Sequence, residues 1–345
     1  MAADTLRMPA EWEPQVATWL AWPHNENDWP GKFAPVPWVF VEIIRHLTST
    51  QRVRLLVKSK DMKTQARDFC KRGGVDLKQV DFYIIPTERG WMRDCGPIFV
   101  YEGKKKKMLD WTFNGWAKYP DHRLDNWVPD SINAVNKVAR IIPKHKTRRV
   151  VLEGGSIDVN GKGTLITTEE CLLSKVQERN PGFDREDYEA IFAKYLGIDQ
   201  ILWLGKGIVG DDTHGHVDDI TRFVNPHTLV TVVEKNIKDE NHALLADNLK
   251  RLKKARDTKG KPFTIAELPM PKPLYFEGQR LPASYANFLI ANKLVLVPTF
   301  NDANDRIALN ILSELFKGRD VVGIHAVDLV WGLGTIHCMS QQEPA

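Results

Sequence analysis

The sequence predicts a mixed α/β protein in which five similar units pack around a shared axis as a closed ring. Two observations carry this. An amphipathic helix, a short polar or glycine turn and a β-branched apolar strand recur five times along the chain. No Ser/Gly/Pro-rich linker divides the 345 residues, so one domain spanning 1–345 is expected. The first unit joins a helix over 39–50 to Val53-Arg54-Leu55-Leu56-Val57, and the second runs from Ser131 and Ile132 to Arg149-Val150-Val151-Leu152. The third joins 187–196 to Ile201-Leu202-Trp203-Leu204, the fourth 243–254 to Phe263-Thr264-Ile265-Ala266, and the fifth 307–316 to Val321-Val322-Gly323-Ile324. An added helix over 62–71, capped by Ser59, and a strand over 82–85 extend the first unit. None of these units can bury its apolar face alone, hence the shared axis.

Composition narrows the function classes. With 43% hydrophobic residues the chain can fill a large core, and it contains no run of about eighteen apolar residues, so a membrane span is not supported. Residues 1–14 have neither the basic start nor the apolar stretch of a secretion signal. A cytoplasmic location follows as the expectation. Cys70, Cys95, Cys171 and Cys338 form no CxxC pair and read as reduced thiols. A net charge of +4 gives little reason to expect a nucleic-acid partner, and the basic run 104–107 after Gly103 reads as a solvated hairpin turn. Oligomeric state is not readable, although a compact ring offers exposed faces that a homodimer could use.

The residues that carry chemistry fall after the repeated strands, at comparable places in successive units. They are Asp94 in Arg93-Asp94-Cys95-Gly96-Pro97, Glu153 in Glu153-Gly154-Gly155, His216 and Asp218 in His214-Gly215-His216-Val217-Asp218-Asp219, Asn287 in Ser284-Tyr285-Ala286-Asn287, and Cys338 in Gly334-Thr335-Ile336-His337-Cys338. A ring would bring them together at its axis. The set then holds a thiol, an imidazole and three carboxylates, and carboxylates sharing one pocket repel each other unless a cation lies between them. A guanidinium meets that need: it is planar and offers five N–H donors in a fixed fork. Its carbon is a poor electrophile, so attack calls for a thiolate, and a nearby imidazole can protonate departing ammonia and then activate water.

Each part has a quieter reading. A lone cysteine is commonly a small buried hydrophobe. His214 and His216 could share a strand face, or bind a metal with Asp218 or Asp219, as in a metal hydrolase. Asp94 could be a partner of Arg93, Glu153-Gly154-Gly155 a turn, and 158–163 a plain hairpin turning at Asn160-Gly161. Tryptophans such as Trp22, Trp29, Trp111 and Trp116 read first as core or pocket wall.

Taken together, the motifs resemble the agmatine deiminases, in the group shared with bacterial-type peptidylarginine deiminases. The resemblance runs from Met8-Pro9-Ala10-Glu11-Trp12 and Trp19-Leu20-Ala21-Trp22-Pro23, through Phe113-Asn114-Gly115-Trp116 and Leu281-Pro282-Ala283-Ser284-Tyr285-Ala286-Asn287-Phe288, to Ile336-His337-Cys338-Met339-Ser340-Gln341-Gln342. It implies the pentein fold, a five-bladed α/β propeller. It also implies roles: Cys338 as nucleophile through an amidino-cysteine intermediate, His216 as general acid and base, Asp94 and Asp218 as guanidinium clamps, and Glu153 holding His216 and sharing in guanidinium binding. Trp91, Trp116, Asn287 and Gly334 are the substrate-pocket candidates. No metal and no organic cofactor is implied. Agmatine, giving N-carbamoylputrescine and ammonia, is the expected substrate; free or peptidyl arginine is the alternative, and would need a cationic or amide partner such as Lys118 or Arg222. The stretches Ala117-Lys118-Tyr119-Pro120 and Gly332-Leu333-Gly334-Thr335 depart from the usual pattern of the family and border the expected pocket. An amidinotransferase would use similar chemistry with an amine as acceptor, and a guanidinium-binding protein without catalysis would need only the pocket.

Overall fold

A computed structural model describes residues 6–345, so the start of the 1–14 segment lies outside the described residues. Five sheets of three or four strands share one plan, an antiparallel pair followed by a parallel partner. In one, Gln15–Ala21 pairs antiparallel with Ser340–Pro344 and parallel with Arg52–Val57, which pairs in turn with Val80–Ile84. In the next, Ile98–Glu102 lies antiparallel to Lys105–Leu109, which runs parallel to Ala139–Ile141. The other three place Asp158–Val159 beside Thr164–Thr168 and Gln200–Leu204, Thr221–Asn225 beside Thr228–Val233 and Thr264–Pro269, and Leu289–Ile290 beside Leu294–Thr299 and Asp320–His325. The sheets are open, and the fold is mixed α/β.

A parallel pair needs a crossover, and a helix supplies it in each sheet. Val36–Leu47 shows why the sequence folds this way. Val36, Val39, Phe40, Ile43, Ile44 and Leu47 recur at three- and four-residue spacing and are all buried, forming one apolar stripe. Arg185–Leu196 starts at a capping box between Asp184 and Asp187 and stops at Gly197, whose φ of 68° suits glycine. Glu240–Lys254 and Ala303–Leu315 serve the fourth and fifth units as expected. The added helix is Lys60–Arg72, with the Ser59 side chain accepting from the Met62 amide. Among the described residues no helix is long and apolar enough to cross a membrane.

The second unit differs from the reading of the sequence. Its paired strand is Ala139–Ile141, whereas Arg148–Arg149 forms a separate small hairpin with Lys144–His145. The helix Val128–Asn136 ends at Lys137 in the left-handed region, φ 52°, which turns the chain back to the sheet at once. Val150 and Leu152 are buried in the core instead, and Val151 forms an isolated bridge to Thr112. The basic run after Gly103 is a hairpin, and so is the segment around Asn160-Gly161.

Every chemistry-bearing residue lies just before the first strand of the following sheet. Asp94 precedes Ile98–Glu102, Glu153 precedes Asp158–Val159, His216 and Asp218 precede Thr221–Asn225, Asn287 precedes Leu289–Ile290, and Cys338 precedes Ser340–Pro344. Each of the five segments thus leads into a strand of a different sheet.

Candidate active site

Cys338 sits where the last connection meets the strand shared with the N-terminal segment. Its carbonyl accepts from the Arg93 amide at 3.1 Å, tying it to the short helix that carries Asp94. Its Sγ lies 3.1 Å from Asn287 Nδ2 and 3.7 Å from Asp218 Oδ2. Burial, and then the carboxylates of Asp218, Asp219 and Asp94, push the thiol pKa well above its ordinary value. The free site therefore holds a thiol, and a cation among those carboxylates would reverse the bias.

Asp94 is fixed at both oxygens. Trp116 Nε1 donates to Oδ2 at 2.9 Å and the Gly155 amide donates to Oδ1 at 3.0 Å. Burial, reinforced by Asp218 and Glu153 and opposed by His216, pushes its pKa up to about 6. Gly155 is required to be glycine by proximity: a Cβ there would stand 2.5 Å from His216 Nδ1 and 2.9 Å from Asp94 Oδ1. Trp116 itself adopts φ 57°, a conformation rare for a bulky residue, and so does neighbouring Ala117 at 54°. Such strain persists only where surrounding contacts enforce it, and here the indole N–H bond to Asp94 does so.

His216 is 1% exposed, with Nδ1 3.8 Å from Asp94 Oδ1 and Nε2 3.7 Å from Glu153 Oε2. Burial alone would lower its pKa, but Asp94, Cys171 and Glu153 outweigh burial and raise it well above the ordinary value, which favours the protonated ring. Asp211 shapes its loop, accepting from the amides of Gly215 and His216 at 2.7 and 3.0 Å. Glu153 receives Arg179 Nε on Oε1 at 3.0 Å. Burial works to raise the Glu153 pKa, but Arg179 and His216 win and hold it down at about 2. Asp218 Oδ2 pairs with His337 Nδ1 at 2.7 Å, and His337 Nε2 pairs with Glu11 Oε2 at 2.9 Å. Burial opposes ionisation of Asp218, but the His337 bond prevails and lowers its pKa.

Four buried polar atoms around this centre have no hydrogen-bond partner among the described residues: both ring nitrogens of His216, Glu153 Oε2 and Asp218 Oδ1. A cavity of about 310 Å³ opens from Cys338 and Asp94 between Trp91, Trp116 and Gly334 to a rim carrying Asp28, Asp212 and Glu277. Its size suits a small molecule. Gly334 admits that passage, since a Cβ there would stand 2.6 Å from the Trp91 ring.

The structure thus brings Cys338, His216, Asp94, Asp218 and Glu153 into one cluster and sets Trp91, Trp116 and Gly334 on the cavity wall. Asn287 is placed differently from a pocket wall. Its Nδ2 lies between Asp219 Oδ1 at 2.9 Å and the Cys338 sulfur, and its Oδ1 accepts from Thr335 Oγ1 at 2.6 Å and from the His337 amide at 3.0 Å. Its amide is fully engaged in holding the nucleophile loop. His214 turns away to Ser174 Oγ at 3.0 Å, so it does not join His216 and Asp218. Lys118 is paired with Asp212, and buried Arg222 with Glu11 and Asp158. Sequence reasoning passed over Arg179, His337 and Asp211, and weighed Asp219 only as a metal ligand. Only the last had a local signal, as the second acid of the Asp218-Asp219 pair.

Three comparisons bear on this site. Residues 7–344 match the model of the Porphyromonas-type peptidyl-arginine deiminase family. The chain is 34% identical over 99% of its length to an agmatine deiminase of Stutzerimonas stutzeri, of which it covers 96%. Its structure resembles an agmatine deiminase of Enterococcus faecalis described as catalysing its reaction, with a TM-score of 0.89 and 32% identity over 99% of this chain and 96% of that one. A cysteine-to-serine variant of the C. jejuni agmatine deiminase with substrate bound gives a TM-score of 0.88 and 31% identity over 99% and 97% of the two chains. The chain belongs to the Porphyromonas-type peptidyl-arginine deiminase family.

Proposed function

We propose that this protein is an agmatine deiminase, hydrolysing agmatine to N-carbamoylputrescine and ammonia. The observation that carries the reading is the set of unpartnered buried atoms beside Cys338. Asp218 Oδ1 and Glu153 Oε2 are acceptors left without donors, and Asp94 faces the same space. Buried acceptors of this kind are costly unless a ligand brings donors, and a guanidinium brings five. In this reading Asp94 and Asp218 clamp the guanidinium nitrogens while Glu153 holds His216. Bound positive charge lets Cys338 lose its proton to solvent, and the thiolate attacks the guanidinium carbon. Imidazolium His216 gives a proton to the leaving nitrogen, so ammonia departs and an amidino-cysteine remains. His216, now neutral, takes a proton from water as its oxygen attacks the same carbon, and the C–S bond breaks to release the ureido product.

The far end of the cavity favours agmatine over arginine. Asp28 is paired with Arg89, and Asp212 with Lys118 and Tyr119, whereas exposed Glu277 at the rim has no ion pair among the described residues. An uncompensated carboxylate there attracts the amine of agmatine and repels a carboxylate. Lys118 and Arg222, the cations an arginine carboxylate would need, are already committed. The five sheets and their shared plan support a five-bladed propeller with pseudo-fivefold repeat, folded as one catalytic domain over 1–345. Four free thiols fit a reducing cytoplasm, and exposed Trp127 and Val135 offer apolar area for a homodimer.

The test is turnover of agmatine, arginine and an arginine peptide in chelator-treated buffer, measuring ureido product and ammonia, with Cys338→Ala as control. Product from agmatine in preference to the others, absent in the variant, is expected. Product from the variant would remove the nucleophile; product from arginine alone would keep the chemistry and change the substrate.

A further inference from the structure

Beside His216 lies a thiol that the proposed reaction does not use. Cys171 is 1% exposed and stands on the short helix Glu169–Leu173, whose N-cap Thr168 accepts from the Cys171 amide. Its sulfur, one nitrogen of His216 and one oxygen of Glu153 all lie within 4.8 Å of one another. This is a sulfur, nitrogen and oxygen donor set of the kind zinc favours. The distances suit it as well. Tetrahedral zinc with ordinary bond lengths puts its nitrogen and oxygen ligands about 3.4 Å apart, and His216 Nε2 stands 3.7 Å from Glu153 Oε2. Both of those atoms are buried and lack any hydrogen-bond partner among the described residues, so no neighbour competes with a metal for them once His216 has given up its proton. Arg179, donating to the other Glu153 oxygen at 3.0 Å, orients the carboxylate as an outer partner of a metal ligand would.

We infer that Cys171, His216 and Glu153 form a site for Zn²⁺ whose occupation arrests turnover reversibly. The ion takes a lone pair of His216, so the ring can neither carry a proton to departing ammonia nor take one from water. Binding requires His216 to lose its acidic proton and Cys171 its thiol proton, both released to solvent, with no change of oxidation state. The metal is an inhibitor in this assignment, and catalysis itself needs none. The arrest rests on the role proposed for His216; the binding does not. A rival group, Asp218, Asp219 and Cys338, also lies within ligand range and must be told apart from it.

Two measurements on the full-length protein separate these cases. Inhibition by Zn²⁺, reversed by a chelator, is compared in wild type, Cys171→Ser and Cys171→Ala, each against its own metal-free rate. The half-inhibitory concentration should rise roughly 10–100-fold in the variants, the range that even an outer-shell loss commonly costs a metal site. Co²⁺ is then added to Cys338→Ala, where thiolate-to-metal absorption should persist, and to the Cys338→Ala, Cys171→Ser double variant, where it should vanish. This second arm reads binding without activity, and thermal melting of each variant confirms that it is folded. Absorption lost with Cys338 alone, Zn²⁺ inhibition undiminished without Cys171, or no binding of either ion would overturn the assignment. Metal binding at Cys171 without loss of turnover would keep the site and refute the role of His216.

Discussion

Cys338 and Asp94 share one well of negative potential, and this sets how each responds to pH. Asp94 binds a guanidinium only when ionised, and its pKa in the free site is raised to about 6. Protonation therefore takes hold as pH falls through 6, so kcat/KM for agmatine should drop about tenfold per pH unit below that point. The kcat limb should lie lower, because bound cation favours the carboxylate. A kcat/KM profile flat to about pH 5 would contradict the role of Asp94. Glu153 behaves in the opposite sense. Its folded pKa of about 2 lies below the ordinary 4.5, so its contribution to stability is complete above pH 4.5 and is lost as pH falls toward 2. Arg179 is the main cause of that lowering, with both side chains fully buried. Arg179→Met should cost about 3–5 kcal/mol at neutral pH by stranding a buried charge. It should also flatten the acid side of the stability profile, measured by urea unfolding between about pH 3 and 7. The sequence made Glu153 legible through its two glycines, but Arg179 stands in Gln177-Glu178-Arg179, a polar run that reads as solvated surface. His337 was hidden for another reason. Its neighbour Cys338 drew the chemistry, although His337 is the side chain that aims Asp218.

At the scale of elements, the site is built from turns placed just before strands, and these turns tolerate little. Gly155 shows how little. A methyl group there meets His216 and Asp94 at under 3 Å, while the surrounding sheets need not change. Gly155→Ala should fold and retain most of its melting temperature, yet lose at least about a hundredfold in kcat/KM, because a displacement of about 1 Å at a reacting group has that scale of effect. Loss of activity together with collapse of the fold would instead mark the glycine as structural. The helices and most crossover strands were readable because their apolar spacing is strict, as in Val36–Leu47. The second unit misled because Val150-Val151-Leu152 has the composition of a strand, whereas pairing was decided by the left-handed turn at Lys137 and the proximity of Lys105–Leu109. Composition describes burial there, and turn geometry decides register. Positive φ at Trp116, Leu333 and Glu277, all on the cavity, was equally invisible, since local propensity argues against each.

For the whole molecule, the last strand of the chain meets the early strand Gln15–Ala21 in one sheet, and the nucleophile lies two residues before that meeting. Ser340–Pro344 lies antiparallel to Gln15–Ala21, and Glu343, 1% exposed, fastens the junction. It accepts from Trp19 Nε1 at 2.8 Å and Lys106 Nζ at 2.8 Å, and also pairs with Arg54. Lys106 belongs to the next sheet, so one buried carboxylate joins two sheets and the C-terminal strand. The recurrence of units made the alternation of helix and strand legible from the sequence, but not this fastening, because a glutamate one residue before Pro344 carries no pattern. Glu343→Ala leaves Arg54 and Lys106 facing an empty acceptor in a largely buried setting, which should cost about 3 kcal/mol or more in urea unfolding. Glu343→Gln keeps an acceptor and should cost less. Because Cys338 is held by the same connection, activity in Glu343→Ala should fail at a lower urea concentration than the helical circular dichroism signal. Coincident loss of the two signals would mean that closure and site do not loosen separately; an unchanged midpoint would mean that the ends are held by strand pairing alone.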